Sequence, residues 1–408
     1  MQDTLHSNVE TNQEILISPQ KCKSKKYDSF LLAIDLGGTK INAALCAKKE
    51  KEKNWEILFV QTFETKKIQN INEIFFQMQK ISFAIYTEKY TSASVGIAGP
   101  LSQDKKHAYI TNVGWNISSK DIQKKHKLSS VILLNYLEAV GNGLFSLSQK
   151  DFLKLDNLPN IDTEQRGILA AGTGLGVAII SLVDNLDKKN ENYIEKNEEE
   201  KNHKEQRYMI HPAEGGHIPF AAITQEDKLL QIYLEKKLKR TMTYEDLVSG
   251  RGIISIYDFL TRNTVEQNIN KQDTHKKKVN KKITNKQNTN DQSTLHKKIQ
   301  SLDGALKIQL IQKNIEDSVC KKTFNLFIRY YAQFAQTFAL FTLPRGGIYI
   351  GGGIARKIQN ILLKSNFRKI FEDNTKMKNV LKEIPLRIIT NKYVALIGCC
   401  NAFEERKR

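Results

Sequence analysis

The chain is poor in cysteine and has no long apolar run. Its 408 residues include five cysteines, an odd number without the paired spacing of a metal site. This usage argues against a disulfide framework and favours a reducing compartment. No apolar stretch reaches the ~18 residues that a membrane-spanning helix requires. We therefore expect a soluble, cytoplasmic protein with no membrane partner, in which the adjacent Cys399 and Cys400 are buried.

Three segments lack the apolar residues that a folded core requires. Residues 1–29 have no signal-peptide core and carry acidic side chains, so we predict a disordered N-terminal extension. Residues 262–300 hold ten Lys and Arg against three acidic side chains, and we predict a solvated surface loop there. Residues 184–207 are predicted to be a second polar insertion. Because the loop carries a large share of the net charge of +19, that charge does not indicate a nucleic-acid partner.

Three glycine-rich turns stand out against this background. They are LLAIDLGGTK at 31–40, LAAGTGLGVAII at 169–180 and GIYIGGGIA at 347–355, and each follows a β-prone apolar run. Taken singly, the first two are equally typical of plain β-hairpins. The third precedes an apolar-periodic stretch, which predicts a strand-to-helix turn. Three such turns together favour a protein that binds ATP, with each turn contacting a different part of the nucleotide.

The residues of these turns suit phosphate and magnesium. Glycine lets backbone N–H groups approach phosphate oxygens closely. Asp35 would repel phosphate directly, so we predict that it holds Mg²⁺ through water. The predicted cofactors are thus ATP and Mg²⁺. The candidate nucleotide-binding residues are Asp35, Leu36, Gly37, Gly38, Thr39, Thr173, Gly174, Gly352 and Gly353.

The segments between the turns resemble the bacterial-type glucokinase family, within the sugar kinase, Hsp70 and actin superfamily. The matching motifs are TNVGW at 111–115, LLNYLEAVGNGL at 133–144, EGGH at 214–217, YEDLVSGRGIISIYDFL at 244–260 and the tail at 367–398. The related repressor and kinase group with a cysteine-rich zinc loop is a poorer match, because no cysteine lies between Cys46 and Cys320. The resemblance implies ATP-dependent phosphorylation of glucose at its 6-hydroxyl.

The resemblance also implies an α/β fold with two ribonuclease-H-like (actin/hexokinase-type) domains around a central nucleotide- and sugar-binding cleft. We expect residues 30–147 plus 388–408 to form the small domain and 148–387 the large one. Interleaved strands and helices agree with this class. The predicted strands are 31–36, 41–47, 57–63, 93–97, 131–135, 168–183, 208–211 and 348–351. The predicted helices are 70–90, 137–149, 224–238, 243–249, 252–261, 317–342 and 394–406.

By resemblance, the hydroxyls of glucose or a similar hexose are bound by Asn135, Glu214, His217 and Glu245. Carboxylate, amide and imidazole groups can together satisfy the donors and acceptors of a sugar. Two alternatives stay open: Glu214 as part of a polar turn, and Glu245 as a first-turn helix acid favoured by the dipole. For Asn112 and Trp115 a packing role is equally plausible. A homodimer is also left open.

One position departs from the family pattern. The family has Asn-Asp where this chain has Asn135-Tyr136, and that Asp is the general base for the sugar hydroxyl. A tyrosine with a pKa of about 10 is a poor substitute at neutral pH, and losing a positioned base typically costs about 10²–10⁴ in rate. Glu138 is not an obvious replacement, because it points about 200° away on a helix. Three alternatives stay open: a weakened kinase, a sugar- or ATP-binding regulatory pseudokinase, or a sequence variant at position 136.

Overall fold

The computed structural model describes residues 13–52, 54–110, 113–159, 161, 164–183, 207–275 and 294–406. The strands within these residues are β1 (Gln13–Ile15), β2 (Ser29–Leu36), β3 (Lys40–Lys48), β4 (Glu56–Glu64), β5 (Ser92–Ile97), β6 (His107–Ile110), β7 (Trp115–Ser118), β8 (Ser130–Asn135), β9 (Phe152–Lys154), β10 (Arg166–Ala171), β11 (Leu175–Val183), β12 (Arg207–Ala213), β13 (Ile348–Gly351) and β14 (Leu386–Ile389).

The helices within the same residues are α1 (Pro19–Lys25), α2 (Ile71–Tyr86), α3 (Ser119–His126), α4 (Tyr136–Leu144), α5 (Gln225–Leu238), α6 (Gly250–His275), α7 (294–300), α8 (Gly304–Lys313), α9 (Ser318–Thr342), α10 (Gly352–Lys357), α11 (Gln359–Leu363), α12 (Phe367–Glu372), α13 (Lys378–Lys382) and α14 (Val394–Glu405). Single 3-10 turns occur at Thr65–Lys67, Gln149–Asp151, Gly215–His217 and Tyr244–Asp246. No helix among the described residues combines the length and the apolar character needed to cross a membrane.

The chain divides into two compact units. The first takes the described residues within Met1–Asp151, Ile210–Pro212 and Asn391–Arg408. The second takes those within Phe152–Met209 and Ala213–Thr390. Each unit contains a six-stranded sheet of its own.

The sheet of the first unit has the strand order β1-β4-β3-β2-β5-β8. Strands β2, β3 and β4 are antiparallel neighbours, whereas β5 and β8 run parallel to β2. Residues Leu31–Ile34 of β2 are fully buried, as expected for a central strand covered on both faces. Helix α2 buries Ile74, Phe75 and Met78, whose spacing is that of one helix face. Helix α14 packs on α4 and β2.

The sheet of the second unit repeats this arrangement. Its order is β12-β11-β10-β13-β14-β9, with β10 antiparallel to β11 and parallel to β13. The five strands β12-β11-β10-β13-β14 therefore correspond in order to β4-β3-β2-β5-β8. Helix α9 supplies much of the core of this unit, with Phe324, Phe327 and Phe334 almost fully buried. The predicted α/β class is confirmed.

Most predicted elements have the expected type, but two predictions of disorder are wrong in part. In the predicted N-terminal extension, β1 pairs with β4 and α1 buries Cys22. Tyr86 also donates its hydroxyl proton to the carbonyl of Ile17 at 2.6 Å. The contacts that order residues 13–29 are therefore made with distant parts of the chain. Residues 1–12 lie outside the described residues.

The predicted loop at 262–300 is also wrong at both ends. Helix α6 continues to His275, and α7 covers 294–300 with Ile299 fully buried. Residues 276–293 lie outside the described residues, as do residues 184–206.

Two predicted helices are shorter than expected. The helix predicted at 137–149 ends at Leu144, and the one predicted at 243–249 is only the 3-10 turn Tyr244–Asp246. Cys399 and Cys400 are buried, as predicted, and all five cysteines are unbridged thiols.

A buried cluster of charges ties the edge of the second sheet together. Asp156 accepts hydrogen bonds from Arg387 Nη1 at 2.8 Å, from Arg368 Nη1 at 3.2 Å and from the Leu386 amide at 2.7 Å. The Arg387 side chain is only 1% exposed. Removing the carboxylate charge would take from the buried Arg387 guanidinium the carboxylate that it binds, whereas Arg368 also pairs with Glu372.

We expect Asp156→Asn to destabilise the protein by roughly 3–5 kcal/mol, the range for removing one partner of a buried ion pair. The measurement is chemical denaturation at neutral pH. Glu52→Gln is the control, because Glu52 is exposed and pairs with Lys49 on the surface. We expect that control to change stability by less than about 0.5 kcal/mol. Equal stabilities for Asp156→Asn and the wild type would contradict this role for Asp156.

Candidate active site

In the first unit, the parallel strands bring predicted site residues to one edge of the sheet. The register pairs Leu36 with Ile97 and Ile97 with Asn135, so these residues form one row across β2, β5 and β8. Asp35 precedes this row by one residue on β2. Ligands of open α/β sheets bind beyond the carboxyl ends of parallel strands. Asp35, Asn135 and the first glycine turn are thus at the edge where a ligand is expected.

Asp35 is half-buried and is oriented from the neighbouring strand. Its Oδ2 accepts a hydrogen bond from Asn42 Nδ2 at 3.3 Å, and Asn42 Oδ1 accepts one from Thr62 Oγ1 at 3.0 Å. The turn Gly37–Thr39, which contains Gly38, joins β2 to β3. Thr65 holds this turn from both sides: its hydroxyl donates to Gly37 O at 2.9 Å, and its amide donates to Thr39 O at 3.1 Å. This geometry leaves Asp35 as a positioned carboxylate beside a fixed turn.

Asn135 and Tyr136 lie at the start of α4. Asn135 is the N-cap residue, and its Oδ1 accepts the Leu137 amide hydrogen at 2.8 Å. The cap uses the carbonyl oxygen of the side chain, so the NH₂ group is the part suited to a ligand acceptor. Tyr136 is the first helical residue and is half-buried.

The two carboxylate oxygens of Glu138 accept hydrogen bonds from Lys105 Nζ at 2.9 and 3.0 Å, and Arg406 Nη2 lies 3.6 Å from Glu138 Oε1.

In the second unit, the second and third glycine turns are neighbours. The register pairs Ala170 with Gly351, so β10 and β13 end side by side. Gly352 has a φ of 86°, and a Cβ there would stand 2.2 Å from the carbonyl oxygen of Ala171. Only glycine fits this close approach in that conformation. By contrast, a Cβ added to Gly172 or Gly353 would meet no atom within 4 Å, so both turns border open space.

Glu245 lies directly against the second turn. Its Oε2 accepts the Leu175 amide hydrogen at 3.0 Å, and a Cβ on Gly174 would stand 2.5 Å from that oxygen. Arg251 donates to the other carboxylate oxygen, Oε1, at 2.9 Å. The turn with Thr173 and Gly174 is also held by α6, since the Gly250 amide donates to Gly172 O at 2.9 Å. Sequence analysis assigned no role to Arg251 and did not predict this contact.

Glu214 is the N-cap residue of the 3-10 turn Gly215–His217, and the side chains of Glu214 and His217 are largely exposed. His217 Nε2 is 3.7 Å from Glu214 Oε2. Backbone hydrogen bonds connect this segment to the one that carries Glu245: Phe220 N donates to Met242 O at 2.9 Å and Tyr244 N to Ile218 O at 3.2 Å. The structure thus brings Glu214, His217 and Glu245 into one neighbourhood.

Some candidates lie elsewhere or outside the described residues. Trp115 is buried in the hydrophobic core of the first unit, which favours its packing role. Asn112 lies outside the described residues. Among the residues that the structure describes, no group of three or more His, Cys, Asp or Glu side chains could hold a metal ion.

Asp246, next to Glu245, is a structural acid that the sequence did not single out. Arg240 binds it through two hydrogen bonds of 2.8 and 2.7 Å, and Thr243 donates through its amide at 2.9 Å. Burial alone would raise the pKa of Asp246, but the hydrogen bonds from Arg240 and Thr243 outweigh it and lower the pKa below its usual value. These contacts fix the backbone that carries Glu245.

Comparison with known proteins identifies the family. The family model described as Glucokinase matches residues 32–189 and 201–406. The chain belongs to the glucokinase family. It is 30% identical to a glucokinase from Nostoc punctiforme over 372 residues, covering 91% of this chain and 97% of that protein.

Solved structures agree at the level of fold. A glucokinase from Balamuthia mandrillaris in complex with glucose matches with a TM-score of 0.67 and 19% identity, over 92% of this chain and 93% of that one. A ROK family glucokinase from Streptomyces griseus in complex with glucose and AMPPNP matches with a TM-score of 0.56 and 16% identity, over 92% and 99%. The chain therefore has the two-domain, actin/hexokinase-type α/β fold of these sugar kinases.

The lowered pKa of Asp246 predicts a pH-dependent contribution to stability. Because the folded-state pKa lies below the unfolded value of about 3.9, the contribution is fully present above about pH 4 and is lost as the pH falls through the folded-state value. We expect Asp246→Asn to cost roughly 1–2 kcal/mol at pH 7. That difference should shrink progressively below about pH 4.

The measurement is denaturant unfolding of both proteins at several pH values from 7 downwards. Asp303→Asn is the control, since Asp303 precedes α8 without a side-chain cap hydrogen bond, and it should change stability at pH 7 by less than about 0.5 kcal/mol. A cost for Asp246→Asn that stays constant at every pH would refute the contribution from the Asp246 charge.

Proposed function

We propose that this protein binds Mg-ATP and D-glucose and transfers the terminal phosphoryl group to the glucose 6-hydroxyl, giving glucose 6-phosphate and ADP. The observation that carries the proposal is the pair of adjacent glycine turns at the ends of β10 and β13, in a chain of the glucokinase family. The glucose and AMPPNP named for the Streptomyces griseus relative support both ligand classes. Positioning and electrostatics carry most of the catalysis in such a transfer.

For the nucleotide, the glycine turns supply backbone amides and space. The open space beside Gly172 and Gly353 is compatible with a ligand that lies against both turns. We propose that Leu36–Thr39, Thr173, Gly174, Gly352 and Gly353 contact ATP and that Asp35 holds Mg²⁺ through water. The Asn42 hydrogen bond fits this role, because it orients the carboxylate without neutralising its charge. Bound Mg²⁺ would neutralise charge on the phosphates of ATP.

For the sugar, we propose Asn135, Glu214, His217 and Glu245. The Asn135 NH₂ group can donate to a hydroxyl oxygen, and the two carboxylates can accept hydroxyl protons. The 3-10 turn keeps Glu214 and His217 exposed, which is compatible with binding from solvent. A site with such groups binds analogues that lack a hydroxyl poorly, since its polar groups are then left unpaired.

The residue at position 136 determines how fast the proposed reaction runs. A phenol with a pKa of about 10 accepts a proton poorly at neutral pH. Glu138 gives little help, since both its oxygens already accept from Lys105. We therefore propose a slow kinase. The second candidate is a regulatory protein that binds sugar and ATP without catalysis, and the same two observations favour it.

The proposed magnesium role of Asp35 predicts that Asp35→Ala weakens Mg-ATP binding while the protein stays folded. The measurement is calorimetric titration of the wild type and the variant with Mg-ATP, together with their melting temperatures. Asp121→Ala is the control, since Asp121 is an exposed acid in the first turn of α3 in the same unit. Unchanged affinity of Asp35→Ala for Mg-ATP would remove this assignment.

The proposed effect of Tyr136 predicts that Tyr136→Asp raises turnover by about 10²–10⁴, the typical contribution of a positioned base. Initial rates are measured with saturating Mg-ATP and glucose in a coupled glucose 6-phosphate assay. Tyr136→Phe is the matched control and should give no gain, since it removes the phenol without adding a carboxylate. A glucose thermal shift tests that each variant still binds the sugar.

Two outcomes would correct the proposal. Wild-type turnover in the ordinary kinase range of about 1–100 s⁻¹ would show that Tyr136 does not limit the reaction. If Tyr136→Asp binds glucose but gains no activity, the defect lies elsewhere, and the non-catalytic candidate is favoured.

A further inference from the structure

Arg251 has no role in the proposed function, although it contacts the proposed sugar ligand Glu245 and adjoins the glycine turn that is proposed to contact ATP. It is the second residue of α6, and its Nη2 donates to Glu245 Oε1 at 2.9 Å. Its side chain is 67% exposed, whereas that of Glu245 is 17% exposed. The guanidinium is thus held at one end by a carboxylate and is otherwise open to solvent.

The pair borders the turn that is proposed to contact phosphate. Glu245 Oε2 accepts from the Leu175 amide at 3.0 Å, at the end of that turn. The residue before Arg251, Gly250, donates its amide hydrogen to Gly172 O at 2.9 Å, at the beginning of the same turn. A carboxylate this close to a bound phosphate would repel it unless a cation compensates the charge. Arg251 supplies such compensation to Glu245 through their ion pair.

In the proposed function, Glu245 binds a sugar hydroxyl. The sugar hydroxyl and Arg251 therefore compete for the same carboxylate. We propose that Arg251 exchanges partners: it pairs with Glu245 while the sugar is absent, and it contacts the nucleotide phosphate once the sugar has engaged Glu245. This inference rests on the proposed function, because both ligands are taken from it. It assigns Arg251 as the residue that couples sugar binding to nucleotide binding.

Both steps of the exchange, release of Arg251 from Glu245 and binding of Arg251 to phosphate, are physically reasonable. Exposed ion pairs contribute little net free energy in water, so the sugar loses little by displacing Arg251 from Glu245. Guanidinium binds phosphate oxygens with the same forked, two-donor geometry that it uses for carboxylates. Because coupling between two binding equilibria is reciprocal, bound sugar strengthens nucleotide binding and bound nucleotide strengthens sugar binding by the same factor.

The test is a set of calorimetric titrations of the full-length protein and its Arg251→Gln variant. D-glucose and Mg-AMPPNP are each titrated alone and in the presence of a saturating amount of the other. We expect Arg251→Gln to bind glucose alone about 2–5-fold more tightly, because the competing ion pair is gone. The variant should bind Mg-AMPPNP more weakly, and the gain in nucleotide affinity from glucose should fall by roughly 5–10-fold.

Two further variants separate this role from general damage. Arg251→Lys keeps the charge but loses the forked geometry, so its coupling should lie between those of the wild type and Arg251→Gln. Lys322→Gln removes a half-exposed cation from another ion pair of the same unit, with Glu226 at 2.5 Å, and should leave all affinities unchanged.

The pattern of results decides between the ideas. Opposite changes in the two affinities support partner exchange, because a merely structural role would weaken both. Equal weakening of both ligands, or unchanged coupling in Arg251→Gln, overturns the inference while the proposed function stands. Failure of the wild-type protein to bind either ligand overturns the proposed function, and the inference with it.

Discussion

The parallel pairing of neighbouring strands is the constraint on which the rest of the site depends. In the second unit, the register that pairs Ala170 with Gly351 makes β10 and β13 end together, so two turns far apart in the chain become neighbours. In the first unit, the register that aligns Leu36, Ile97 and Asn135 makes β2, β5 and β8 end together. A slip of one residue would turn every side chain of the strand to the opposite face. The register therefore fixes which side chains can serve a ligand.

The neighbouring acidic residues Glu245 and Asp246 of the second unit differ in how their carboxylates are bound. Asp246 is 9% exposed and is bound by Arg240 and Thr243, so its charge is committed to holding the segment in place. Glu245 is 17% exposed, accepts a hydrogen bond from Arg251 Nη2, and touches the amide at the end of the second glycine turn. A committed ion pair gives the segment its position, whereas an exposed pair can be exchanged at little cost. This difference allows a fixed backbone to carry an adaptable side chain.

Local patterns predicted the strands and the glycine turns well, because each strand is a short apolar run that ends in residues with special backbone freedom. The extension of α6 to His275 was missed because the polar composition of 262–275 indicates that the segment is not buried, but does not indicate whether it is helical. Once the buried residues Ile253, Ile256 and Leu260 have formed the helix, each added polar residue costs little, since nucleation is the expensive step. The ordering of residues 13–29 was missed for another reason. Its partners, including Tyr86, are distant in sequence.

The contact between Glu245 and Leu175 could not be predicted either, since the two residues are 70 positions apart in sequence and their contact depends on the completed fold. The family resemblance named Glu245 as a sugar ligand but carried no information about what holds it when the sugar is absent. Arg251 is visible in the sequence only as a charge near a helix start. Its proximity to the glycine turn follows from the hydrogen bond between Gly250 and Gly172, which is a tertiary contact.

In the proposed function, Tyr136 is a single side chain that separates ligand binding from catalysis. The Asn135 side chain caps α4 by accepting from Leu137, and this hydrogen bond sets the start of the helix whatever residue follows. Exchanging Asp for Tyr at the first helical position therefore alters the chemistry of one group without requiring a different backbone. The groups proposed to hold the sugar and the nucleotide belong to other residues and, apart from Asn135, which caps α4, to other elements. In the proposed reaction, ligand binding thus involves many positions, whereas proton removal involves one, so a substitution at position 136 can change turnover while the other binding residues stay in place.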